Sequence, residues 1–185
     1  MQFSTYDIAL LNWLHTHLPP NAIPVLQFVS DTTTYVSISV VLLAGLFAFV
    51  KKSRPMWLNF LSLVVLLLLV AAFTQGLKAV IHRDRPFDTY PYIEKLSSGG
   101  DSSFPSGHTL EAFAMAAAVS FLFSRRKIIF TAYAWAVVVA YSRMALGVHY
   151  PADVAAGMVI GTALGLLVPW IIQRLRGTIS QDSKT

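Results

Sequence analysis

The 185-residue chain has no cysteine, which excludes disulfides even in a loop facing an oxidising compartment. Charge is scarce as well. Only 12% of the residues are Asp, Glu, Lys or Arg, against about 25% in a soluble domain. Most of this chain therefore does not face water. Charge is missing altogether from residues 32–50, 55–77 and 154–173. A spanning helix needs roughly 20 predominantly apolar residues, and all three stretches qualify. Residues 112–124 and 128–142 are also uncharged. They are shorter, and reach spanning length only by extending toward Gly107 and Leu146. A cleavable signal peptide is not expected either, because residues 1–7 have no positive n-region.

These absences predict an all-α fold: an integral membrane helical bundle of about five transmembrane helices, with interfacial helices at the N-terminus. It reads as a single domain with an interfacial arm over 1–31, a membrane core over 32–174 and a cytoplasmic tail over 175–185. A water-soluble bundle does not fit, since five nearly uncharged segments leave too few polar faces. In the arm, Ser4 and Asp7 have capping-box spacing, with Asp in place of the usual Glu or Gln. Ile8, Leu11 and Leu14 follow at helical spacing, and Leu18-Pro19-Pro20 ends the helix. A second apolar piece over 22–29 precedes Asp31. Both pieces are too short to span and are expected at the outer interface, where Trp13 and Phe28 fit. His15 and His17 read as part of that surface.

The net charge is +5, but its placement does not suit nucleic acid. Lys51, Lys52 and Arg54 lie between the first two spans. Arg125, Arg126 and Lys127 lie between the third and fourth, and Arg174 and Arg176 follow the fifth. Five spans put these three places on one side, which the positive-inside rule makes cytoplasmic. Three polar clusters fall on the opposite, extracytoplasmic side: Lys78 with Arg85-Pro86, then Pro105-Ser106-Gly107-His108, then Ser142-Arg143 with His149 and Asp153. The long polar loop 87–104 joins the first two. Its Ser97-Ser98-Gly99-Gly100-Asp101-Ser102-Ser103 run favours flexibility, and it reads as a border of a substrate entrance or as a tether. Gly157, Gly161 and Gly165 repeat every four residues, a spacing that lets helices approach closely. Packing within the chain is the expected use, with dimerisation as the alternative.

Together the clusters contain what a phosphoryl group needs. Lys78, Arg85 and Arg143 supply cations, and Ser106-Gly107 offers backbone N–H groups at a helix start. Gly107 permits close approach, and the Ser106 hydroxyl is a further donor. Arg143 pairing with Asp153 is the plain structural alternative. His149 and Asp153 are four apart, with Pro151 able to open a helix between them. A carboxylate that takes the Nδ1 proton leaves Nε2 as the nucleophilic nitrogen. His108, at the head of the third span, can protonate a leaving oxygen, with Glu111 three residues on to favour its protonated form. Three adjacent cations argue against reading His108, His149 and Asp153 as metal ligands.

In these motifs the sequence resembles the type-2 phosphatidic acid phosphatase family of membrane lipid phosphatases, which shares its site with vanadium haloperoxidases. The signature is Lys, six residues, Arg-Pro; then Pro-Ser-Gly-His; then Ser-Arg, five residues, His, three residues, Asp. All three parts are complete here. The resemblance implies that His149 attacks phosphorus, Asp153 orients it, and His108 protonates the leaving oxygen and then activates water. It implies that Lys78, Arg85, Ser106, Gly107 and Arg143 hold phosphate oxygens, and that no metal or other cofactor is required. His82 and Arg83 fall outside the signature, although Arg83 is placed to reach a second phosphate. The implied partners are membrane lipids and a lipid phosphate or diphosphate, and the implied site is a bacterial cytoplasmic membrane, facing outward. Undecaprenyl diphosphate is the favoured substrate, with phosphatidylglycerophosphate, phosphatidic acid and lipid A phosphates as alternatives. A haloperoxidase-like enzyme and a non-catalytic lipid binder are the readings from other classes.

Overall fold

The computed structural model describes the backbone of residues 5–182 and the side chains of residues 5–175. The cap expected of Ser4, the side chain of Arg176 and residues 183–185 of the tail lie outside that range. The described chain is helical: α1 Thr5–Thr16, α2 Ile23–Lys51, α3 Arg54–Ile81, α4 Pro86–Thr89, α5 Gly107–Leu122, α6 Arg126–Ala145 and α7 Pro151–Asp182, with a 3-10 turn Pro20–Ala22 before α2. Among the described residues, four segments are long and apolar enough to cross a membrane: Pro20–Lys51, Arg54–Thr89, Arg126–Ala145 and Pro151–Leu175. The protein is an integral membrane helical bundle.

One boundary differs from expectation. Residues 22–29 do not form a second interfacial piece; they are the opening turns of the first membrane helix. Pro24 sits in the first turn of α2, where its missing N–H costs nothing. Asp31 continues the helix on an exposed face. Leu26 is buried with Leu18, Ala145, Leu146 and Val148, and this packing holds the segment upright.

At the centre stands α5. Its 16 residues rise about 24 Å, short of the roughly 30 Å hydrocarbon core. It is nonetheless buried on every side, from Thr109 through Ala118 with Glu111 alone half-buried, because α2, α3, α6 and α7 all pack on it. Ala112, Ala114, Ala116, Ala117 and Ala118 keep it thin. In a bilayer, helix association rests on such close packing more than on apolar burial. The glycines of α7 complete the fit: a β-carbon at Gly157 would lie 2.9 Å from the Ser106 carbonyl oxygen, and at Gly161 and Gly165 closer still to the carbonyls of Leu110 and Ala114. The stripe is used within the chain, as expected. Outward faces of the other helices carry large apolar groups such as Leu42, Leu46 and Leu68.

The antiparallel order gathers Lys51, Lys52, Arg54, Arg125, Arg126, Lys127 and Arg174 at one end of the bundle. The end of α3, the start of α5, the end of α6 and the start of α7 meet at the other. There Ser106 N–H donates to the Asp153 carbonyl at 3.1 Å, tying the starts of α5 and α7 together. Gly147 makes the turn from α6 to α7 at φ 74°, a conformation that favours glycine.

Candidate active site

A cavity of about 560 Å³ opens at that end, and Lys78, Arg85, Gly107, His108, Arg143 and His149 all line it. Three motifs spread over the sequence thus share one wall. From the cations the cavity runs between α2 and α3, past Ile38, Leu67, Leu68 and Ala71. Leu68 and Ile38 are exposed on the outer surface of the bundle, so one flank of the cavity faces the surrounding medium sideways.

Arg85 and Arg143 are almost completely buried, at 2% and 1% exposure. A charge in such a place needs partners, and the 87–104 loop supplies them. Arg85 donates to the carbonyls of Gly100 (2.5 Å), Ser102 (3.1 Å) and Val148 (2.8 Å). Arg143 donates to the Ser98 carbonyl (2.9 Å), Ser97 Oγ (3.2 Å) and Ser30 Oγ. Gln27 further holds the Leu96 carbonyl at 2.7 Å. The loop that reads as flexible in sequence is pinned at its Ser-Gly stretch, because its carbonyls serve as the arginines' acceptors. Arg143 Nε is buried with no hydrogen-bond partner among the described residues, leaving a donor at the cavity wall.

His149 is 1% exposed and lies in the turn between α6 and α7. Its Nε2 is 3.4 Å from Arg85 Nη1. An arginine has only donors, so Nε2 is the bare, lone-pair nitrogen and the ring proton sits on Nδ1. Burial pushes this imidazole down to about 3, despite Asp153 nearby, so the ring is neutral. Asp153 Oδ2 is 3.7 Å from Nδ1, an ion-pair distance longer than a hydrogen bond. Such contacts often tighten only with substrate in place.

Asp153 itself is fully buried and heavily held. Ser103 Oγ donates to Oδ2 at 2.5 Å and the Tyr150 N–H at 3.0 Å. Arg83 binds Oδ1, and its other nitrogen binds Asp7 Oδ2 at 2.6 Å. The expectation that Arg83 reaches a second phosphate is therefore corrected: its fork is occupied by two carboxylates. Arg143 does not pair with Asp153, whose cation is Arg83.

Two further expectations change. Ser106 is completely buried, and its hydroxyl is 2.9 Å from Thr109 Oγ1 rather than on the cavity wall. Its backbone and that of Gly107 still form the start of α5. Glu111 makes no hydrogen bond to His108 among the described residues; its Oε2 accepts from Thr34 Oγ1 at 2.9 Å. Sequence reasoning missed Asp7, Ser30, Ser97 and Ser103. Only Asp7 left a signal, as the one acid of the first apolar piece, Thr5–Thr16.

Comparison with known proteins follows the same lines. The chain is 33% identical over 100 residues to the lipid A 4'-phosphatase of Bacteroides thetaiotaomicron, a stretch covering 54% of this chain and 44% of that protein. It is 34% identical over 88 residues to undecaprenyl-diphosphatase BcrC of Bacillus subtilis, covering 48% and 45%. The match thus spans under half the length of these curated relatives. Among solved structures, Aquifex aeolicus LpxE has the same fold at a TM-score of 0.76 and 22% identity, over 90% of this chain and 96% of that one. The family model of the PAP2 superfamily matches residues 59–176, a stretch that contains all three motifs, and the chain belongs to that superfamily.

Proposed function

We propose that this protein hydrolyses a lipid phosphate or diphosphate at the outer face of a bacterial cytoplasmic membrane, through a phosphohistidine on His149. The observation that carries this reading is the bare Nε2 of His149 beside Arg85, in a cavity whose far wall is the leucine-lined gap between α2 and α3. One end suits a phosphoryl group and the other a hydrocarbon chain.

In the first step Nε2 attacks phosphorus and the bond from phosphorus to the lipid-side oxygen breaks. His108 gives that oxygen its proton. Asp153 supports the positive charge that develops on the His149 ring. Lys78, Arg85, Arg143 with its free Nε, and the backbone at Gly107 stabilise the charge on the equatorial oxygens. In the second step water attacks the phosphohistidine, His108 takes its proton, and phosphate leaves. Hydrolysis needs nothing beyond water and these side chains.

Undecaprenyl diphosphate is the substrate we favour; its leaving group is undecaprenyl phosphate. The resemblance to the Bacillus subtilis enzyme supports it, and the resemblance to a lipid A phosphatase keeps that lipid as the second reading. Phosphate release from undecaprenyl diphosphate, lipid A, phosphatidylglycerophosphate and phosphatidic acid, measured in chelator, ranks them. His149→Ala should lower turnover by about 10⁴-fold or more, and labelled phosphate should be trapped on His149 of the intact chain. Full turnover by His149→Ala would sink the nucleophile. Inactivity on all four lipids, with vanadate-dependent halide oxidation, would make the chain a haloperoxidase-like enzyme; binding without either activity would make it a lipid binder.

A further inference from the structure

We propose that Asp7 and Arg83 are positioning residues for the reaction, through which the N-terminal helix holds Asp153 in register with His149; this rests on the phosphohistidine reading above. Helix α1 turns Tyr6, Leu10 and Trp13 outward at 84%, 48% and 58% exposure. Asp7, on the same helix, is buried at 8%. An acid turned inward from an exposed apolar helix has a specific partner, and here both of its oxygens are used. Oδ2 receives Arg83 Nη2 at 2.6 Å, and Oδ1 receives the Ala152 N–H at 2.8 Å.

The result is a closed ring. Asp7 binds Arg83, Arg83 binds Asp153, and Asp7 also binds the backbone one residue before Asp153. The Arg83 guanidinium lies 3.8 Å over the Tyr150 ring, and its own carbonyl accepts the Ser103 N–H at 2.7 Å. Ser103 in turn donates to Asp153 Oδ2. Arg83 therefore fixes Oδ1 and directs Oδ2 toward His149 Nδ1. The fork of an arginine can hold two carboxylates at once, which a lysine point charge cannot do in a fixed geometry. None of these groups lines the cavity, so their effect on the reaction passes through Asp153.

The test is steady-state kinetics on the full-length chain with the lipid that wild type cleaves best. Asp7→Asn keeps the size and removes the charge; Arg83→Lys keeps the charge and removes the fork. Partners that orient a catalytic or ligating group typically contribute about 10–100-fold. We expect kcat to fall by about that factor in each variant, with KM within about twofold, and the rate of labelled phosphohistidine formation to fall in parallel. The double variant should be no slower than Arg83→Lys, because both changes break one ring. Rates are taken per folded molecule, with the folded fraction read from thermal unfolding in detergent. Unchanged kcat in either variant, a loss confined to KM, multiplying losses in the double variant, or failure of both variants to fold would each overturn positioning and leave a purely structural latch. An inactive wild type would instead remove the function proposed above.

Discussion

His149 shows how burial and chemistry reinforce each other at a single residue. An exposed imidazole is half protonated near pH 6.5, and a protonated ring cannot attack phosphorus. Here burial holds the folded-state value near 3. Between about 3 and 6.5 the unfolded chain binds a proton at this position that the folded chain does not. Stability therefore rises with pH through that window and falls as pH drops from 6.5 toward 3. Thermal unfolding in detergent at pH 7 and pH 4.5 checks this: the drop in Tm should be smaller in His149→Gln than in wild type. The cations ask a different question. Arg143 presents Nη2 to the Ser98 carbonyl and Nη1 to Ser30 and Ser97, while Nε has no hydrogen-bond partner among the described residues. Arg143→Lys keeps the charge and loses that geometry, so kcat should fall by about 10²-fold or more, as phosphate release will show. Residues that touch the cavity were legible in the sequence because their chemistry demands particular types at fixed spacing. Asp7 and Ser103 were not. Asp7 meets Arg83 and the Ala152 N–H, 76 and 145 positions away, and Ser103 meets Asp153, 50 positions away; no local pattern announces a contact made only by folding.

Among the helices, α5 and α7 form the rigid pair that sets the start of both site-bearing helices. Their contact depends on glycine. Gly161→Val would place a branched side chain where a β-carbon alone already meets the Leu110 carbonyl oxygen. Overpacking of this kind typically costs about 1–3 kcal/mol, so unfolding in detergent should occur at lower temperature. Gly76 on α3 has no described residue within 4 Å of the place a β-carbon would occupy. Gly76→Ala should be neutral, or stabilising by about 0.5–1 kcal/mol. The glycine period was readable in the sequence, and so was its use. The start of α2 was not. Pro24 and Asp31 look like punctuation in a one-dimensional reading, yet a first-turn proline and an outward aspartate both fit a helix whose inner face packs on Leu146 and Val148.

At the scale of the whole molecule, charge and chemistry occupy opposite ends of one bundle. We expect the basic end to face the cytoplasm and the arginine end to face outward. The cysteine-free sequence makes this simple to check, since any thiol introduced is the only one present. In intact cells, Tyr92→Cys in the loop should react with a membrane-impermeant maleimide, and Lys52→Cys should react only after permeabilisation. The reverse pattern would invert the topology. The gap between α2 and α3 has a consequence for how such an enzyme meets its substrate. A cavity with Leu68 and Ile38 at its flank collects molecules that diffuse in two dimensions, so the relevant concentration is a mole fraction of the bilayer. Adding water to a vesicle suspension should leave turnover per enzyme unchanged. Adding neutral lipid to the same vesicles should lower it, however much substrate the tube contains.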